Sequence, residues 1–77
     1  MAGRDPEVSA VAAELDRLAA ETGQKLRGRL SGLRIERQGG GVVLRGAARS
    51  FYAKQLALSA VMKGTRLPVV RNEIEVA

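Results

Sequence analysis

Residues 40–46 read Gly40-Gly41-Val42-Val43-Leu44-Arg45-Gly46, a glycine-rich turn that leads into an alternating strand. Residues 33–38 alternate in the same way, and we expect Leu33 and Ile35 to face the core. Because glycine takes positive φ at no steric cost, the triplet 39–41 predicts a tight turn between two antiparallel strands. A phosphate-binding loop is the alternative reading, but neither a helix start nor Gly-Lys-Ser/Thr follows the triplet. The pattern therefore favours a β-hairpin.

A helix and a third strand are predicted after the hairpin. Ser50 is a favourable N-cap for a helix that runs from Tyr52 to about Lys63. Small side chains dominate its apolar stripe, so this helix can lie close to the sheet; the stripe consists of Ala53, Leu56, Ala57, Ala60 and Val61. Residues 64–68 contain Gly and Pro and end the helix, after which residues 70–76 alternate again as a closing strand.

The chain begins with a further predicted helix. Asp5-Pro6-Glu7 has the order of an N-cap, a first-turn proline and a dipole-favoured acid. Apolar residues then recur at spacings of three and four up to Leu26, which predicts one amphipathic face. Gly28 is the expected stop, and residues 29–32 are expected to form a connector.

These elements define the fold class. The order predicts an α+β fold, α-β-β-α-β, with two helices packed on one face of a three-stranded mixed sheet. At 77 residues the chain has room for one domain, residues 1–77, with an ordered core of about 6–77. The second face of the sheet is expected to stay open to water or to a partner.

Two residues inside strands carry structural expectations. Gly46 indicates a β-bulge or a close approach by the second helix. Asn72 lies on the inward face of the last strand, where a buried amide needs a backbone partner, and we expect it to bond to a loop.

Composition argues against an enzyme. The chain has no Cys and no His, and so lacks thiolate nucleophiles, imidazole bases and the usual ligands of zinc. Glu73 and Glu75 lie two apart on one strand face, a spacing that could suit paired carboxylates. Without a His or a second acidic cluster, we expect them instead to pair across strands with Arg34 or Arg45. No catalytic residue, metal site or cofactor is predicted.

The positive charge of the chain is regional. The net charge is +5, yet residues 25–71 contain eleven Lys or Arg and one acid, Glu36. Such a segment attracts anionic partners, although a solubilising surface is an equally weighted reading. The densest basic stretch consists of Arg27, Arg29, Arg34 and Arg37. We favour the interpretation that these side chains are solvated surface charges over the interpretation that they form a stripe that binds a ligand.

Phe51 and Tyr52 are the aromatic residues of the chain, adjacent at the start of the second helix. Adjacent helical positions point about 100° apart, so at most one ring belongs fully to the core. The favoured reading packs Tyr52 against the end of the first helix and Phe51 over a hairpin edge. The functional reading exposes one ring to a lipid headgroup region or a partner groove. In that reading the residues that bind an anionic surface are Arg45, Arg49, Phe51, Tyr52 and Lys54.

The chain resembles the BON domain, a small bacterial module named for osmotic-shock and nodulation proteins. The likeness covers about residues 8–77 and is carried by Gly40 to Gly46, where the family has Gly-x-Val-x-Leu-x-Gly, by residues 54–57, and by residues 70–76. Family members tend to place Gly-Val six and five residues ahead of the Asn, where this chain has Arg66 and Leu67. The resemblance implies an α-β-β-α-β fold, a non-catalytic role in stress-linked envelope maintenance and attachment to membranes through phospholipid recognition.

The resemblance and the sequence point to different compartments. Most BON relatives are exported, which implies a periplasmic or envelope location. This chain has no secretory signal and no apolar run of about 20 residues, and so reads as cytoplasmic as written. The compartment stays open.

The leading functional hypothesis is a module that recognises anionic phospholipid or another envelope-associated surface. The alternative is a protein-interaction or assembly domain, either monomeric or a weak homodimer that forms through the open sheet face or a free strand edge. Nucleic-acid binding is disfavoured because two aromatic residues do not provide a stacking platform on the sheet.

Overall fold

The computed structural model describes residues 6–77, with side chains from residue 10 onward. Its elements are α1 (Pro6–Lys25), β1 (Leu30–Gln38), β2 (Gly41–Ala48), α2 (Phe51–Gly64) and β3 (Val69–Val76). This is the predicted α-β-β-α-β order and an α+β fold. The N-cap expected at Asp5 lies outside the described residues.

The three strands form one mixed sheet in the order β1-β2-β3. β2 lies in the centre, antiparallel to β1 and parallel to β3. The predicted hairpin is confirmed, since Gln38 pairs with Gly41 and leaves Gly39 and Gly40 as the turn. Gly39 has a φ of 61°, which explains why glycine stands there.

The core lies between the sheet and the two helices. Val42, Leu44 and Ile74 are among its largest fully buried side chains. α2 packs onto the sheet through small residues that are themselves fully buried, Ala53, Ala57 and Val61. Both β1 residues predicted to face the core do so. Ile35 is buried, and Leu33 is half-buried and packs against the buried core residues. Small residues at the contact allow the α2 backbone to approach the strands closely.

β1 is longer than its sequence pattern predicted. It begins at Leu30, so most of the expected connector 29–32 is strand, and its pairing with β2 is irregular between Ser31 and Arg34. A Cβ on Gly46 would lie 3.1 Å from the Ser31 carbonyl oxygen and close to the backbone of Leu33. The β-bulge indicated by Gly46 is confirmed, because the irregular pairing lies opposite it on β1 and the atoms nearest to such a Cβ belong to the β1 backbone.

The expected partner of Asn72 was also wrong. Its Oδ1 accepts a hydrogen bond from the Ile74 N–H at 3.2 Å, within its own strand and not from a loop. Asn72 is half-buried, and its side chain satisfies a backbone donor of β3.

The contact between the hairpin and β3 supplies a test of the fold. A Cβ on Gly41 would lie 2.5 Å from the Pro68 carbonyl oxygen and 2.7 Å from Val70 Cγ1, whereas a Cβ on Gly40 would meet nothing within 4 Å. We predict that Gly41→Ala destabilises the protein by about 1–3 kcal/mol, because it forces the β3 backbone to move. Urea unfolding of Gly41→Ala and Gly40→Ala, the matched control, measures the difference. Equal stabilities would show that β3 does not approach β2 as described.

Candidate functional site

The open face of the sheet carries a ladder of ion pairs. Arg34 contacts Glu36 at 3.2 Å, and Arg45 contacts Glu36 at 2.9 Å and Glu73 at 2.6 Å. Arg71 continues the ladder, 3.5 Å from Glu73, and also donates a hydrogen bond to the side chain of Gln38. We refer to this set as the charge ladder: Arg34, Glu36, Arg45, Glu73 and Arg71. The prediction that Glu73 and Glu75 pair across strands with Arg34 or Arg45 is confirmed for Glu73, which contacts Arg45; Glu75 contacts neither arginine.

The charge ladder covers an apolar centre. Val43 is only 1% exposed although it lies on the open face, between Glu36 on β1 and Arg71 on β3. The aliphatic stems of long charged side chains can cover apolar surface in this way while their heads stay in water. Glu75 also lies on this face, opposite Ala47. With Glu75 added to the charge ladder, the face carries three arginines and three glutamates. The open face is thus nearly neutral overall.

Arg45 is the predicted binding residue that the structure places on the open face. The hydrogen bond to the Glu36 carboxylate, and next the negative charge of Glu73, raise the pKa of Arg45 above its usual value. Its guanidinium is therefore engaged by two carboxylates of the same molecule. An anionic ligand would have to compete with both of them, so Arg45 acts here as the central cation of the ladder.

Arg45 can be tested against the end of the same ladder. Arg45→Ala removes a cation that contacts two carboxylates on neighbouring strands, whereas Arg34→Ala removes one contact, to Glu36 on its own strand. We predict that Arg45→Ala lowers the midpoint of urea unfolding more than Arg34→Ala does. High salt should reduce the difference between the two midpoints, because it screens exposed charges. Identical midpoints at low salt would contradict the ladder.

The other four predicted residues lie at or beside the start of α2. Ser50 is the N-cap, and its hydroxyl oxygen accepts a hydrogen bond from the Ala53 N–H at 3.1 Å, as predicted. Phe51 is 72% exposed and Tyr52 is 65% exposed. The reading that packed Tyr52 against α1 and Phe51 over the hairpin edge was wrong, because neither ring is buried. Arg49 is exposed and Lys54 is half-buried beside the rings, and the first turn of α2 has no acid.

The turn after α1 brings further cations to the same end of the sheet. The Arg49 N–H donates to the Arg29 carbonyl oxygen at 2.9 Å, so the two arginines are backbone neighbours. A shallow open cleft of about 290 Å³ lies between them, and its lining includes Ser31 and Ala47. Arg27 is exposed two residues before Arg29. We define the cationic end as Arg27, Arg29, Arg49, Phe51, Tyr52 and Lys54.

The basic stretch of the sequence does not form one stripe. Arg34 belongs to the charge ladder, and Arg37 lies at the opposite end of the sheet, near Arg66 in the chain region that follows α2. Arg29 was not among the predicted binding residues. Its place beside Arg49 depends on the extension of β1 to Leu30, which period-two alternation does not show because the bulge interrupts it.

Comparison of the chain with protein-family models, with curated proteins and with solved structures finds no match in any of the three. The resemblance to the BON domain therefore rests on the residues quoted above. Within residues 6–77, no helix has the length and apolar character needed to cross a membrane. Among the described side chains, no group of three or more acids is placed to hold a metal ion.

Proposed function

We propose that this chain is a non-catalytic binding module that recognises anionic surfaces, phospholipid headgroups first among them, through the cationic end. The observation that carries the proposal is the exposure of Phe51 and Tyr52 directly beside Arg49. Exposed rings flanked by cations suit the boundary between headgroups and acyl chains, where one part of the contact is apolar and the other is charged. The lack of His and Cys in the sequence supports the non-catalytic half of the proposal.

The expected affinity is modest. Each Lys or Arg near an anionic bilayer contributes on the order of 1 kcal/mol, so the four cations of the cationic end give weak and salt-sensitive binding. Insertion of the two rings adds an apolar contribution that salt does not screen. Binding of this kind is expected to hold the protein reversibly at a membrane surface.

The distribution of charge favours the cationic end over the open sheet face. The cations of the charge ladder already contact carboxylates of the same molecule, as Arg45 does with Glu36 and Glu73. In the described chain, the segments that build the cationic end, residues 26–31 and 47–54, contain no acid. The neighbouring strand β3 places Glu75 opposite Ala47, and Ala77 lines the cleft between Arg29 and Arg49. The molecule would therefore meet a membrane with this end and not with the sheet face.

Vesicle sedimentation of paired variants tests the location of the binding surface. We predict that Arg29→Ala combined with Arg49→Ala lowers partitioning to vesicles of anionic phosphatidylglycerol by about tenfold or more, because two cations are lost from the contact. Lys63→Ala combined with Arg66→Ala is the matched control, since it removes the same charge from the far end of α2 and the segment that follows it. An equal loss from both pairs would show that net charge alone drives binding.

The single tyrosine offers a direct readout of insertion, since the chain contains no Trp. We predict that brominated phosphatidylglycerol vesicles quench the emission of Tyr52, that brominated phosphatidylcholine vesicles do not, and that Phe51→Ser weakens the quenching. Tyrosine emission unchanged by anionic vesicles, together with binding that sedimentation still detects, would remove the rings from the proposal. A tighter complex with RNA than with vesicles at equal salt would contradict the proposed ligand class.

A further inference from the structure

The outer edge of β3 has backbone groups without a strand partner in the described chain. β3 pairs with β2 on one side only, as the last strand in the order β1-β2-β3. The Ala77 N–H donates to the Ala48 carbonyl oxygen and so points toward β2. Ile74 lies three residues earlier, and its N–H points outward to the Asn72 side chain. By the alternation of a strand, the N–H and C=O of Asn72 also point to the free edge.

Side chains restrict which part of this edge can accept another strand. The outward N–H of Ile74 already donates a hydrogen bond to Asn72 Oδ1, at 3.2 Å. Pro68, at the other end, has no N–H to donate. Residues 69–72, which we call the open section, lie between these two positions. The pairing of β3 with β2 shifts by one residue here, with Val70 as the extra residue, so the N–H and C=O of Asn72 are the outward groups that the register establishes in this section.

An apolar groove runs alongside this open section. It has a volume of about 510 Å³, and its lining includes Leu58 and Met62 of α2 together with Val70 of β3. Met62 is 60% exposed and Val70 is 51% exposed, although both are large apolar side chains. Arg66 and Arg71 also line the groove, and no acid does so among the described residues. The groove is thus apolar within and positively charged at its borders.

We propose that the outer edge of β3 binds an extended peptide with the pattern apolar-acidic-apolar, which adds to the sheet as a fourth strand. Main-chain hydrogen bonds to the open section would provide the attachment. The acidic residue would lie opposite Arg71 on the open face of the sheet. Its two neighbours would point to the other face, toward Leu58 and Met62, because successive side chains of a strand alternate. This surface is separate from the cationic end.

A second copy of the chain fits this edge less well. Two copies that pair antiparallel through residues 70–72 would place Arg71 opposite Arg71 of the second copy, and like charges directly opposite one another destabilise a sheet. A shift of the register toward Ile74 would displace the Asn72 amide from its N–H, and a shift the other way would meet Pro68. A partner strand with an acid at its centre pairs through residues 70–72 without placing two like charges opposite each other.

Arg71 is available for this role. Its side chain is 57% exposed, and its contacts within the chain, to Glu73 at 3.5 Å and to Gln38 at 3.2 Å, are at the long end of their range. An acid on an added strand would extend the charge ladder by one step. The electrostatic pattern of the open face would then continue across the new strand.

The test uses two peptides and two forms of the chain. The peptide Ser-Thr-Val-Glu-Val-Thr-Ser is titrated into the ¹⁵N-labelled protein, in parallel with the same peptide carrying Lys in place of Glu. We expect the acidic peptide to shift the amides of Val70, Asn72 and Met62, and to bind about fivefold more tightly than the Lys peptide. Arg71→Glu should make the Lys peptide bind more tightly than the acidic peptide. An unfolded variant would lose both affinities and would not reverse their order. Arg49→Ala, at the cationic end, is the matched control and should leave the preference unchanged.

The outcomes separate the possible occupants of the edge. Amide shifts confined to residues 27–31 and 49–54 would mean that the peptide binds the cationic end, and would overturn the proposal. Equal affinities for the two peptides, or a preference that Arg71→Glu does not change, would do the same. Shifts of Val70 and Asn72 that depend on protein concentration without peptide, with a dimeric mass in sedimentation, would assign the edge to a second copy instead.

Discussion

The packing of α2 on one face of the sheet is the constraint on which the rest of this molecule depends. Ala53, Ala57 and Val61 are fully buried against a sheet whose centre is Leu44, and only side chains of this size let the helix backbone lie so close. The two helices of the described chain both pack on this one face of the three strands. Within residues 6–77 the opposite face carries only side chains of the strands themselves.

The charge ladder lies on that opposite face and thereby determines where the protein presents net charge. Arg45 contacts one carboxylate on each neighbouring strand, and the buried Val43 lies between the ladder residues Glu36 and Arg71. Cations on the open face are consequently engaged within the molecule. Other Arg and Lys residues lie at the ends of the sheet, and at one end Arg49 directly precedes the N-cap of the helix that begins with two exposed aromatic rings. We infer that an anionic surface binds at this end, because the arginines of the open face are already paired with carboxylates of the same face.

The sequence predicted the fold well and the site in part, for physical reasons. Periodicity and turn chemistry are local, so the order of elements, the hairpin and the Ser50 cap followed from them. The pair Arg45–Glu73 followed from strand alternation once β2 and β3 were neighbours. Arg29 could not be assigned to the site, because the bulge that brings it beside Arg49 breaks the alternation of β1. The exposure of both aromatic rings was not predicted either, because local periodicity does not show which side of the first turn of α2 the rest of the fold leaves uncovered.

The two proposed surfaces lie apart, one at the start of α2 and one along the outer edge of β3, so that a membrane and a peptide could be bound together. The claim on which this account rests is that an anionic membrane surface meets the cationic end and not the open sheet face. The most direct measurement is the shift of backbone amides when ¹⁵N-labelled protein is titrated with nanodiscs of anionic phosphatidylglycerol. The account predicts the largest changes in residues 27–31 and 49–54. Largest changes in residues 43–45 and 71–73 would contradict it.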